Sequence, residues 1–240
     1  VEKGPVGFAA LLLGAQGGLN GIFMAKDLIL FYVFWEATLV PGLLLLGVYG
    51  GERRREATVK YLVYAVSGSF FMLVSILALK ALSGALSFHI VDLMLVTPDM
   101  PLATQTWIFV GLALGMAVKL PLWPLHSWLV DLNEQNHPSG AADVLGSLYK
   151  VGAFGFFAWA LPLVPAGAMR VAPLMLALAA VTAIYGALGA IGSNHLKRFL
   201  AYGSLSHMGM IGVGIFGMHM AGLNGGIYFL AAQMGSTGRL

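Results

Sequence analysis

Long apolar runs, separated by short polar punctuation, dominate the chain. A bilayer core takes about 20 apolar residues per helix. Runs of that kind occur at 8–25, 28–50 (closing on Gly50-Gly51), 58–82, 105–133, from His137-Pro138 to about 161, 172–192, 196–217 and from about 222 onward. The pattern predicts eight helices. Residues 83–104 are polar and turn-rich, with Pro98 and Pro101, and read as a connection. The fourth run is too long for one straight span. Pro121 and Pro124 inside it predict a break, because proline donates no backbone hydrogen bond and its ring crowds the preceding turn. Alternation with period two, the mark of a β-barrel, is not seen. The expected fold is an all-α polytopic membrane protein with one broken helix.

Composition sharpens that reading. Of 240 residues, 59% are hydrophobic and 10% are Asp, Glu, Lys or Arg, against roughly a quarter charged in soluble domains. A chain so poor in charge cannot cover a soluble surface, and its mean hydropathy is +0.85. The 32 glycines suit closely approaching membrane helices. GALGAIG (186–192) and GMIGVGIFG (209–217) read as such packing faces. With no cysteine, this chain can form no disulfide and offers no thiolate to an iron–sulfur cluster. A net charge of +3 is too small to argue for nucleic acid. The start at Val1 and the stop at Leu240, inside an apolar stretch, predict a piece of a longer protein.

Charge also orients the spans. Alternating helices put Lys3, Arg53, Arg54, Arg55, Lys60, Lys197 and Arg198 on one side, and Lys26, Lys80 and Arg170 on the other. The richer side is expected to be cytoplasmic. The GERRREA turn (51–57) reads as a topology anchor rather than a site.

Candidate chemistry lies inside the spans. At 1.5 Å per residue, Glu36 is about 21 Å from Gly50, Lys119 about 21 Å from Asn133, Lys150 about 18 Å from Pro138 and His207 about 15 Å from Lys197. The midplane is roughly 15 Å from either edge of the core, so four ionisable side chains from four spans fall in one slab. Any one of them alone reads equally well as a packing bolt. Charges near mid-bilayer each cost at least ~2.5–3.5 kcal/mol, however, and are functional suspects by default. Four at matching depth suit a proton-carrying row. Burial disfavours a lysine's charged form and a nearby carboxylate favours it, so moving Glu36 relative to Lys119 would switch that lysine between holding and releasing a proton. Histidine can pass a proton through either ring nitrogen. A helix broken beside a midplane charge is the mark of an ion or substrate pathway, and the carbonyls freed by the prolines need partners or water inside the protein.

Other signals are weaker. Glu134-x-x-His137 has the spacing of di-iron bundle sites, but such sites need a second copy and further carboxylates, so no metal is assigned. No HExxH motif, phosphate-binding glycine loop or dinucleotide fingerprint occurs. His126 and Trp128 fall at the break or along the path; Asp143 suits a helix first turn. Tyr202 and Ser206 either assist His207 or bond back to their own helix.

FYVFWEATLVPGLLLL (31–46), GMAVKLPLWPLHSWL (115–129), HPSGAADVLGSLYKVGAFGF (137–156) and KRFLAYGSLSHMGM (197–210) together make the sequence resemble the antiporter-like membrane subunits of respiratory complex I, of the NuoM type. The resemblance covers essentially the whole chain, and Lys150-Val-Gly favours that branch over the other two. Similar subunits of Mrp-type sodium/proton antiporters and membrane-bound hydrogenases stay open as an alternative, and so does a non-conducting scaffold. The resemblance implies a fourteen-helix fold with two inverted five-helix repeats, each with a broken helix. This chain would run from the fourth family helix into the eleventh, with the first repeat at 8–162 and a truncated second at 172–240. It further implies that Glu36, Lys119, Lys150 and His207 transfer protons, and that an exit lysine follows Leu240. The chain itself is expected to bind no cofactor; NADH, flavin, iron–sulfur clusters and quinone would belong to partner subunits. The implied partners are the other membrane subunits, neighbouring antiporter-like subunits among them, in the inner (cytoplasmic) membrane. Two departures stand out: His195 where such chains often carry an aspartate, and Thr237 near a family histidine.

Overall fold

The computed structural model describes residues 4–137 and 150–237, with side chains to Gln233. Its helices are α1 (Pro5–Met24), α2 (Leu28–Ala37), α3 (Leu39–Tyr49), α4 (Arg54–Ser83), α5 (Ile90–Val96), α6 (Leu102–Lys119) and α7 (Ser127–Gln135), followed by the described part of α8 (Lys150–Leu163), α9 (Pro165–Ile191), α10 (Leu196–Phe216) and α11 (Met220–Thr237). Among the described residues, six spans are long and apolar enough to cross a membrane, with α2 and α3 counted as one. There is no sheet among them; a single antiparallel bridge joins Asp27 to His89.

The predicted helices all occur, with four differences. The second is interrupted at Thr38. Pro41 explains this: it has no N–H for the Ala37 carbonyl four residues back, so the ladder fails there. The stretch 83–104 is not all turn. It carries α5 and a 3-10 turn over Thr97–Asp99, and Asp27 and His89, each at a helix N-terminus, tie it to the start of α2. The Leu28 amide donates to the Phe88 carbonyl and the Ile90 amide to that of Lys26. Third, α9 begins at Pro165 rather than 172, so Arg170 is a helical residue and not a loop charge. Fourth, α8 widens into a π turn over Phe156–Ala160, just before Pro162. The expected start of α8, and Asp143 with it, lies outside the described residues.

Burial follows helical spacing. On α4, Val59, Val63, Val66, Phe70, Val74 and Leu77 are exposed, whereas Tyr61, Ala65, Met72, Ile76 and Leu79 are buried. The first stripe faces lipid and the second faces the bundle. At about 45 Å, α4 exceeds the hydrocarbon thickness, so it is tilted or projects beyond it. The glycine motifs act as packing faces: a Cβ on Gly186 would stand 2.4 Å from the Ser206 amide, and one on Gly209 2.3 Å from that of Ala183. That closeness joins α9 to α10.

One end of the bundle gathers the basic residues. The Gly51 amide donates to the Gln135 carbonyl, Arg53 pairs with Glu134 at 2.7 Å and Lys60 with Asp131 at 2.6 Å, while Lys197 donates to the Asn136 carbonyl. The GERRREA turn is thus also a clamp on the end of α7, and Glu134 is engaged with Arg53.

Candidate functional site

The site begins where α6 stops. Helix α6 ends on Lys119, and α7 starts at Ser127. Between them Pro121 and Pro124 cannot donate, and the Trp123–Pro124 peptide is cis. The Ala117 carbonyl, which Pro121 would have left open, accepts instead from the Leu122 amide at 3.0 Å. The Val118 carbonyl accepts from the Trp128 indole at 2.9 Å. Trp128 stacks on Tyr61, with ring centroids 5.0 Å apart. The Trp123 amide donates to the Thr182 hydroxyl of α9 at 2.8 Å. Protein groups thus satisfy these polar groups at the break, as a backbone interrupted within a membrane requires.

Lys119 is 3% exposed. Its ammonium donates to the Trp35 carbonyl at 3.0 Å and to the Thr38 hydroxyl at 3.1 Å, and it lies 4.1 Å from the centroid of the Trp35 ring. The carbonyl, the hydroxyl and the ring's negative face all favour a cation. They come from the interruption between α2 and α3: Thr38 is the residue between the two helices, and its hydroxyl also donates to the Trp35 carbonyl at 2.8 Å. The Glu36 carboxylate, one residue beyond Trp35, is half-buried on α2. It makes no ion pair closer than 4 Å with a described residue.

The other predicted residues are placed as follows. Lys150 is 2% exposed at the described start of α8. Two residues on, a Cβ on Gly152 would stand 2.4 Å from the Leu120 amide, so α8 crosses α6 against the Lys119 end. His126, at the entry to α7, is buried at 7% exposure, with its ring 4.8 Å from that of Tyr185. His207 sits on the exposed side of α10, with Phe229 at 5.3 Å between centroids and Gln233 at 3.4 Å from Nδ1. Ser206 does not serve His207; it bonds across to the Ala183 carbonyl. Sequence reasoning missed Trp35, Thr38 and Thr182. Pro41, three residues after Thr38, was the available signal for the first two.

The transmembrane family model described as NADH:quinone oxidoreductase/Mrp antiporter matches residues 25–234. The chain belongs to this family. It is 46% identical over 235 residues to NADH-quinone oxidoreductase subunit 13 of Thermus thermophilus, covering 97% of this chain and 49% of that protein. A chain of respiratory complex I from the same organism, solved with bound NADH, superposes with a TM-score of 0.92 at 45% identity, over 96% of this chain and 49% of that one. A chain of the Mrp complex from Dietzia sp. DQ12-45-1b shares the fold, with a TM-score of 0.87 at 21% identity, over 97% and 25% of the two chains. The chain therefore spans about half the length of the curated relatives it matches. At 46% against 21%, it is much nearer in sequence to the complex I subunit than to the Mrp one.

Proposed function

We propose that the chain is part of a proton-translocating membrane subunit of an NADH:quinone oxidoreductase, seated in the inner membrane among other membrane subunits. Protons move along Glu36, Lys119, Lys150 and His207. NADH, flavin, iron–sulfur clusters and quinone are held by partner subunits. Residues 8–162 form one repeat, and the second follows from α9. One observation carries the reading: a lysine 3% exposed, at the end of an interrupted helix, held by a carbonyl, a hydroxyl and an aromatic face instead of a direct carboxylate partner. A charge held this way can be tipped either way by a modest change nearby. Movement of Glu36 toward Lys119 favours uptake of a proton, and movement away favours release toward Lys150.

Replacement of Lys119 by Ala in the assembled complex is expected to cut proton pumping sharply and to slow the coupled quinone reduction. Full activity on both counts would refute the reading. The family description also covers Mrp antiporters. Genes for complex I subunits beside this one would support the reading above, and antiporter genes the alternative.

A further inference from the structure

The Thr182 hydroxyl joins α9 to the break, and its geometry leaves it little freedom. Thr182 is fully buried. Its Oγ1 donates to the Leu178 carbonyl of its own helix at 2.6 Å and accepts from the Trp123 amide at 2.8 Å. The one proton of the hydroxyl is therefore committed to α9, and a lone pair is committed to the break. Threonine that bonds back to its own helix is common. Here the same oxygen also takes a backbone amide from a distant segment.

That amide is a particular one. Trp123 lies between Pro121 and Pro124, separated from Pro121 by Leu122, whose amide is already used by the Ala117 carbonyl. In a continuous helix the Trp123 amide would bond the carbonyl four residues back, which is that of Lys119. Thr182 captures it instead. Nearby, Gly212 of α10 allows the same region to close: an added Cβ would stand 2.8 Å from Ala179 Cβ and 3.4 Å from Leu122 Cδ2. The break, α9 and α10 thus meet at one junction.

We propose that Thr182 is a positioning residue for Lys119. By holding the Trp123 amide, it keeps the residues after Lys119 from winding back onto the Lys119 carbonyl, and so keeps the end of α6 directed at Trp35 and Thr38. The inference rests on Lys119 carrying protons as proposed above.

The test uses the assembled complex in proteoliposomes, with NADH-driven proton uptake measured across a range of pH. Thr182→Val preserves shape and removes the hydroxyl; Thr182→Ala removes it without bulk; Thr182→Ser keeps it. Val and Ala are expected to lower pumping roughly three- to tenfold, the net worth of one hydrogen bond, and to displace the pH profile. Ser is expected to pump like the parent with the parent's profile. If Val does not assemble, the comparison of Ala with Ser decides. If neither assembles, Ser alone decides, and a Ser variant as poor as Lys119→Ala overturns the proposal. Parental pumping and an unmoved profile in Val or Ala, while Lys119→Ala fails in the same assay, also overturn it. Normal pumping by Lys119→Ala would instead refute the proton-carrying role itself.

Discussion

Two interrupted helices face each other across Lys119, and they are interrupted differently. Between α2 and α3 the fault is one residue wide: Thr38 keeps a helical backbone, and Leu28–Tyr49 still counts as one span. Between α6 and α7 it is seven residues wide, from Leu120 to His126, with a cis peptide and a rerouted backbone. The narrow fault supplies the groups that hold the ammonium, the Trp35 carbonyl and the Thr38 hydroxyl. The wide fault follows directly on the ammonium-bearing Lys119 and finds partners in its own backbone, in Trp128 and in Thr182. A charge in a membrane interior can thus be served by a minimal defect in one helix, provided a larger defect in another brings the charge to it. Each defect follows from proline, one at Pro41 and two at Pro121 and Pro124.

The comparison can be broken from either side. The largest effect is expected from closing the wide fault. A Pro121→Ala, Pro124→Ala double variant restores two donors, at about 3 kcal/mol of helix penalty relieved per proline, and lets α6 run on past Lys119. Pumping should fall more than about tenfold while the complex still assembles; pumping at the parental rate would mean that the break does not direct Lys119. A smaller effect is expected from the narrow fault. Thr38→Val removes one of two hydrogen-bonding partners of a buried ammonium and should lower pumping roughly two- to tenfold, the net worth of one hydrogen bond, with Thr38→Ser restoring it. Equal losses for Val and Ser would assign the effect to packing and not to the hydroxyl.

Much of this was legible in the residues, and the part that was not has physical reasons. Apolar run lengths located the spans, because hydrocarbon thickness imposes them. The Pro121–Pro124 break was legible because two missing donors within about one turn cannot be hidden. Lys119 and Lys150 stood out because an ammonium in an apolar run has few ordinary explanations. The cradle did not stand out, since its main acceptor is a backbone carbonyl, which every residue has. Trp35 serves through its carbonyl and ring face, and neither leaves a pattern in a run of aromatics. Pro41 sat inside a run long enough for one span, and length masked the interruption. Helix α5 depends on the pairing of 26–28 with 88–90, some sixty residues apart, which local periodicity does not encode. Thr182 looked like any small polar residue in a membrane helix until the fold brought the Trp123 amide to it.

Glu36 and Lys119 are held to act as one proton-handling unit, and a double-mutant cycle tests this most directly. NADH-driven pumping would be measured for Glu36→Ala, Lys119→Ala and the double variant, in complexes assembled to equal levels. Groups that act as a unit give strongly non-additive losses. The double variant is predicted to pump no worse than Lys119→Ala alone. Losses that multiply, as for two independent sites, would contradict it.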